Sequence, residues 1–136
     1  MREFPFQILS PERVVFQGAV ASLVVPGAEG FLGVMAGHAP MLAALRVGEV
    51  KITDLNKKLC YVAITGGVLE VDDEGATLLA DIAEKADDID TSRAQAAQER
   101  AQRRLAEHSN EIDTARAHAA LLRALNRLRV AGKECD

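Results

Sequence analysis

At 136 residues, 49% of them hydrophobic, the chain has the size of one domain, or of a small domain with an appendage, and enough apolar content to bury a core. No apolar run approaches the ~20 residues of a membrane-spanning helix. The opening MREFPFQIL, broken by Pro5 and Gln7, is not a signal-peptide pattern, so the chain is expected in the cytosol. The net charge of −4 is unevenly shared: residues 1–84 hold 6 Lys/Arg against 11 Asp/Glu, and residues 85–136 hold 10 against 9. An acidic front half argues against nucleic acid as the main partner.

Residues 1–85 read as short strands in which Val, Ile and Leu alternate with polar residues and glycine or proline punctuates. FPFQIL begins, Ser10-Pro11-Glu12 turns, and RVVFQG and VASLVV follow with a break at Gly18. EVKITDL alternates with period two, Asn56-Lys57-Lys58 makes a polar loop and LCYVAIT returns. Gly66-Gly67 is expected to end that strand, and VLEV and ATLLADIA close the set. Strands at this spacing predict an antiparallel β-sandwich or flattened barrel. The stretch from Pro26 to Val50 carries five glycines and reads as tight turns between strands. It spells neither a phosphate loop nor a dinucleotide fingerprint.

Near residue 85 the composition shifts to Ala, Arg and Glu, and residues 86–136 are expected to form a second, helical domain. IDTSRAQAAQERAQRRL at 89–105 returns as IDTARAHAALLRALNRL at 112–128, with 11 of 17 residues identical. Two helices, over 91–107 and 113–131, fold at His108-Ser109-Asn110 into an antiparallel hairpin. Ala94, Ala97, Ala101 and Leu105 mark the apolar stripe of the first helix; Ala117, Leu121, Ala124, Leu128 and Ala131 mark that of the second. Asp90 and Asp113 are expected N-caps, and Gly132 a C-cap. Alanine seams bury little area, so the hairpin needs the sandwich, a ligand or another protein to stay folded.

Folding the repeat at its midpoint sets Arg93 level with Arg127, and Arg123 one turn away. Three guanidiniums beside the first turn of a helix suit a polyanion, above all a nucleotide triphosphate. The same arginines could instead complement the dipole of the second helix or face solvent, and Glu84, Asp87 and Asp88 could neutralise them. His38 has no nucleophile or acid partner in the sequence, which fits a turn or a protein contact. Cys60 lies inside an apolar run and Cys135 near the chain end, which argues against a disulfide, and no Cys–His cluster has metal-site spacing. A nucleotide-hydrolysing enzyme would need a phosphate loop, a magnesium constellation and a catalytic base, none of which is spelled here.

Several of these residues carry a resemblance. Gly30-Phe31-Leu32-Gly33, Gly37-His38-Ala39-Pro40 and the strand Thr65-Gly66-Gly67-Val68-Leu69-Glu70-Val71 together resemble the epsilon subunits of the bacterial F-type, proton-translocating ATP synthase. Phe31 departs from the family's pattern, which often has a polar residue there. Ile89-Asp90-Thr91-Ser92-Arg93-Ala94 is similar to the motif of the ATP-binding, bacillus-type members. The resemblance implies a non-catalytic central-stalk subunit on the cytoplasmic face of the membrane, attached through the complex. Its partners would be the gamma subunit, the c-ring and the catalytic alpha and beta subunits. Phe31 and His38 would face the c-ring and gamma subunit. Glu84, Ile89, Asp90, Arg93, Ala94, Arg123 and Arg127 would bind ATP as a regulatory ligand, alone or with magnesium. The other implied reading is the same rotor subunit with a purely structural role.

Overall fold

The computed structural model describes residues 2–107 and 111–135, with the backbone alone at 111 and 112. The expected turn at His108-Ser109-Asn110 lies outside the described residues. Eight strands come first: β1 (Phe4–Leu9), β2 (Val14–Val20), β3 (Ser22–Gly27), β4 (Gly30–Met35), β5 (Met41–Thr53), β6 (Leu59–Val71), β7 (Ala76–Leu79) and β8 (Ala83–Lys85). A single 3-10 turn, Ala86–Asp88, leads to the helices α1 (Thr91–Glu107) and α2 (Glu111–Ala131).

The strands hydrogen-bond in the order β2-β1-β7-β6-β5-β3-β4, with β8 on the free edge of β6. All pairings are antiparallel except β1 with β7. β5 and β6 are the spine, paired from Met41↔Val71 to Thr53↔Leu59. Alternate residues of a strand point to opposite faces, so the core-facing residues of one strand should share parity. On β6 they do not: Val62 and Ile64 are buried, then Leu69 and Val71. β5 makes the matching switch between Leu45 and Val50. The parity change marks where the long ladder bends and the core passes to the other face. Beyond it, β6 pairs with β7, which lies on β1; before it, β6 pairs with β8. The sheet thus folds over one core, which includes Phe6, Ile8, Leu23, Val25, Val34, Val50, Val62, Leu69 and Leu78.

Three local expectations are corrected. Gly66-Gly67 does not end a strand: β6 runs through both glycines, at φ +119° and +152°, where the ladder bends. The glycine-rich stretch is not mainly turns, because β4 and the whole first half of β5 lie within it. The break between β2 and β3 falls at Ala21, and Gly18 stays in the strand.

The apolar stripes of both helices are buried or half-buried along their full length. The fully enclosed alanines recur at intervals of seven, Ala94 and Ala101 on α1 and Ala117 and Ala124 on α2. With α1 and α2 in contact, this spacing implies the seam of an antiparallel pair, with 94 about level with 124 and 101 with 117. α2 begins at Glu111, so Asp113 lies inside its first turn, past the capping position. The helix ends before Gly132, but that glycine is not left-handed; the Lys133 amide donates to the Val130 carbonyl at 2.9 Å.

The expectation about the cysteines fails as well. Cys60 and Cys135 are 75 residues apart and are joined as a disulfide, each nearly enclosed. Separation in sequence hid the pair: the tail after α2 returns to the edge of β6 that β8 leaves uncovered.

A Cβ at Gly67 would collide with the carbonyl oxygen of Leu79, and the backbone there sits at positive φ. Gly67→Ala is expected to destabilise the chain by roughly 2–4 kcal/mol through strain and overpacking. Urea unfolding followed by circular dichroism would show this as a lower midpoint.

Candidate functional site

The candidate site lies where the sandwich hands over to α1 and where α2 returns. Ile89 closes the sandwich core, only 8% exposed. Asp90 follows as the N-cap of α1: its Oδ1 accepts the Arg93 amide at 3.1 Å, and its carbonyl accepts the Ala94 amide at 3.0 Å. The cap satisfies one of the free N–H groups that every helix start leaves. Ala94 is fully enclosed, which lets α2 pass close. Arg93, one residue earlier, points outward and is exposed.

On α2, Arg123 is exposed and Arg127 is half-buried. Arg127 turns its guanidinium to Glu84 on β8, with Nε 2.7 Å from Oε1 and Nη2 donating to Oε2 at 3.1 Å. The alanine seam sets position 93 level with about position 125. At 1.5 Å rise per residue, Arg93, Arg123 and Arg127 then fall within about 6 Å along the hairpin axis. The level follows from that register and the helical rise; the side-chain contact the structure gives the trio is the one from Arg127 to Glu84. Glu84 is already engaged with Arg127, and Ile89 packs inward, where it cannot stack on a base without leaving the core.

Phe31 and His38 are not brought together. Phe31 stands 63% exposed at the start of β4, opposite Pro26, with the Arg46 guanidinium 5.6 Å from its ring centre. His38 follows the far end of β4, exposed beside a cavity of about 300 Å³ that Arg2 and Asp72 also line. Its Nδ1 lies 2.7 Å from the Ala39 carbonyl. Among the described residues no group of three or more His, Cys, Asp or Glu could hold a metal ion, and no helix is long and apolar enough to cross a membrane.

Apart from the Arg127–Glu84 pair, the residues that hold the hairpin to the sandwich went unread in the sequence. Asn126, 4% exposed, donates through Nδ2 to the Gly48 carbonyl at 2.9 Å and, more weakly, to the Ile64 carbonyl at 3.4 Å. Gly48 and Ile64 face each other across β5 and β6, so one amide straddles the spine. Val130 is fully buried in the sandwich core, and Lys133 Nζ lies 2.6 Å from Glu49 Oε2. α2 therefore has two buried sides, one alanine-lined toward α1 and one through Asn126 and Val130 toward the sandwich. An asparagine inside an otherwise well-formed helix was the available signal, since it is a poor helix former.

Comparison with known proteins agrees with this architecture. The family model described as the beta-sandwich domain of the ATP synthase delta/epsilon chain matches residues 3–86, and that for its long alpha-helix domain matches residues 87–132. The chain belongs to the epsilon-chain family of bacterial ATP synthases. It is 46% identical over 100 residues to the ATP synthase epsilon chain of Pelotomaculum thermopropionicum, covering 74% of each chain. It is 43% identical over 105 residues to that of Moorella thermoacetica, covering 77% of this chain and 78% of the relative. A chain in the mitochondrial ATP synthase of Euglena gracilis shares the fold with TM-score 0.81 and 22% identity, covering 96% of this chain and 82% of that one.

Within this epsilon-chain fold, Asn126→Ala leaves the Gly48 and Ile64 carbonyls without their side-chain donor. It is expected to cost about 1–3 kcal/mol. Hydrogen exchange should show the loss concentrated in α2, with the sandwich amides much less affected.

Proposed function

We propose that this chain is a non-catalytic rotor subunit whose sandwich binds the gamma subunit and the c-ring. It would sit on the cytoplasmic face of the membrane, held there through the complex. The hairpin would be its regulatory part, sensitive to ATP. Family membership supports the assembly role. The Euglena neighbour was solved within an assembly of F1 and the c-ring. A Tetrahymena thermophila mitochondrial neighbour, with TM-score 0.57 and 14% identity, was solved within a central stalk and c-ring.

What supports the regulatory reading is the level that the alanine seam implies for Arg93, Arg123 and Arg127 beside the start of α1. Arg93 and Arg123 are exposed and able to meet phosphates, while Arg127 joins α2 to β8 through Glu84. A triphosphate, alone or with magnesium, would bridge α1 and α2 at this level and hold the docked hairpin together. A ligand shifts such a balance only through its difference in affinity for the two arrangements. At 100 times its dissociation constant that contribution is ~2.7 kcal/mol. When ATP is scarce the hairpin would open along the gamma subunit toward the catalytic alpha and beta subunits, where its arginines would oppose hydrolysis.

A purely structural role is the second reading. It is favoured by Ile89 closing the core and Glu84 neutralising Arg127, since both then serve packing rather than a nucleotide. Calorimetric titration with ATP, with and without magnesium, separates the two. The sensor reading expects saturable binding that weakens at least tenfold in Arg93→Ala. Heat at the level of dilution up to millimolar ATP would leave the structural role standing alone.

A further inference from the structure

Beyond Gly132 the chain does not run into solvent. The Tyr61 amide donates to the Glu134 carbonyl at 2.8 Å, and Cys60 and Cys135 face each other as an isolated antiparallel bridge. Lys133 adds its ion pair to Glu49 and lies 4.6 Å from the ring centre of Tyr61. These contacts seat the tail on β6 beside the bond between the two sulfurs. The bond then ties the far end of α2 to β6, while the linker from β8 already ties the near end of α1. Both strands of the hairpin are thereby anchored at its open end.

We propose that Cys60 and Cys135 form a reversible thiol–disulfide lock that holds the hairpin on the sandwich, with a small-molecule thiol/disulfide couple as its redox partner. The inference rests on the reading of the hairpin as an element that can leave. The geometry is restrictive. Four residues from Ala131 to Cys135 reach at most about 14 Å. Opening α1 and α2 end to end would carry the end of α2 tens of ångströms from the sandwich, since α1 alone, at 17 residues, is about 25 Å long. A bonded chain therefore cannot extend, and a reduced one can. Both cysteines are nearly enclosed in the docked form, at 6% and 5% exposure, so attack requires the short tail to lift from β6. On the cytoplasmic face proposed above, a disulfide would be of the transient, redox-responding kind.

Formation proceeds by exchange. One cysteine loses its proton to water, and its thiolate attacks a sulfur of a small disulfide RS–SR, expelling RS⁻. The second cysteine, deprotonated in turn, attacks the protein sulfur of the mixed disulfide and expels the other RS⁻. The protein gives up two protons and two electrons, and RS–SR becomes two RSH. Reduction is the reverse.

The test uses the full chain without nucleotide, equilibrated in oxidised or reduced glutathione. Free thiols are counted by maleimide mass shift, and amide exchange is read across α2. The oxidised chain is expected to show no free thiol and slow exchange. Reduction should expose two thiols and speed exchange in α2 at least tenfold, because a hairpin away from the sandwich is marginal in water. Cys135→Ser should exchange at the reduced rate in both buffers. Free thiols persisting in excess oxidised glutathione would overturn the lock. So would equal α2 exchange in both buffers with Asn126→Ala still opening, an outcome that leaves the hairpin's mobility intact. If neither reduction nor Asn126→Ala speeds α2, the hairpin does not leave, and the lock and the nucleotide-sensing reading fall together.

Discussion

The long ladder between β5 and β6 is the constraint on which the molecule depends. Twelve facing residues on each strand set the two layers, and the bend at Gly66-Gly67 turns one ladder into both. A side chain at Gly67 would meet the backbone of Leu79, so the bend and the packing of β7 are one requirement. The same ladder presents Gly48 and Ile64 to α2, so the geometry that closes the core also makes the seat for the hairpin.

Fold class was legible because it rests on local periodicity. Alternation with period two marked the strands, and Ala94, Ala101, Ala117 and Ala124 marked the seam between helices. What resisted reading depends on contacts between distant residues. Gly66-Gly67 looks like a strand end because glycine pairs usually are; only the parity switch between Ile64 and Leu69, seen once burial is known, shows a bend instead. Asn126 makes its bonds to residues 78 and 62 positions away, and Cys60 meets Cys135 across 75. No local pattern encodes such pairings. The trio Arg93, Arg123 and Arg127 lies between these cases: the internal repeat set its level, but the engagement of Arg127 by Glu84 needed the fold.

The hairpin is joined to the sandwich mainly by specific polar groups and one disulfide. Arg127 with Glu84, Asn126 with two carbonyls and Lys133 with Glu49 all lie along α2 or its tail, so α2 is the helix that docks and α1 rides on it. Val130 is the main apolar contribution of α2 to the sandwich core. Contacts of this kind define a single seating position, because a one-turn shift of α2 would break all of them together.

The seven-residue spacing of alanine along the seam has a thermal consequence. The heat-capacity change of separating two surfaces scales with the apolar area uncovered, and alanine uncovers little. Parting α1 from α2 therefore carries a small heat-capacity change, so the enthalpy of that step stays nearly constant as the surroundings warm or cool.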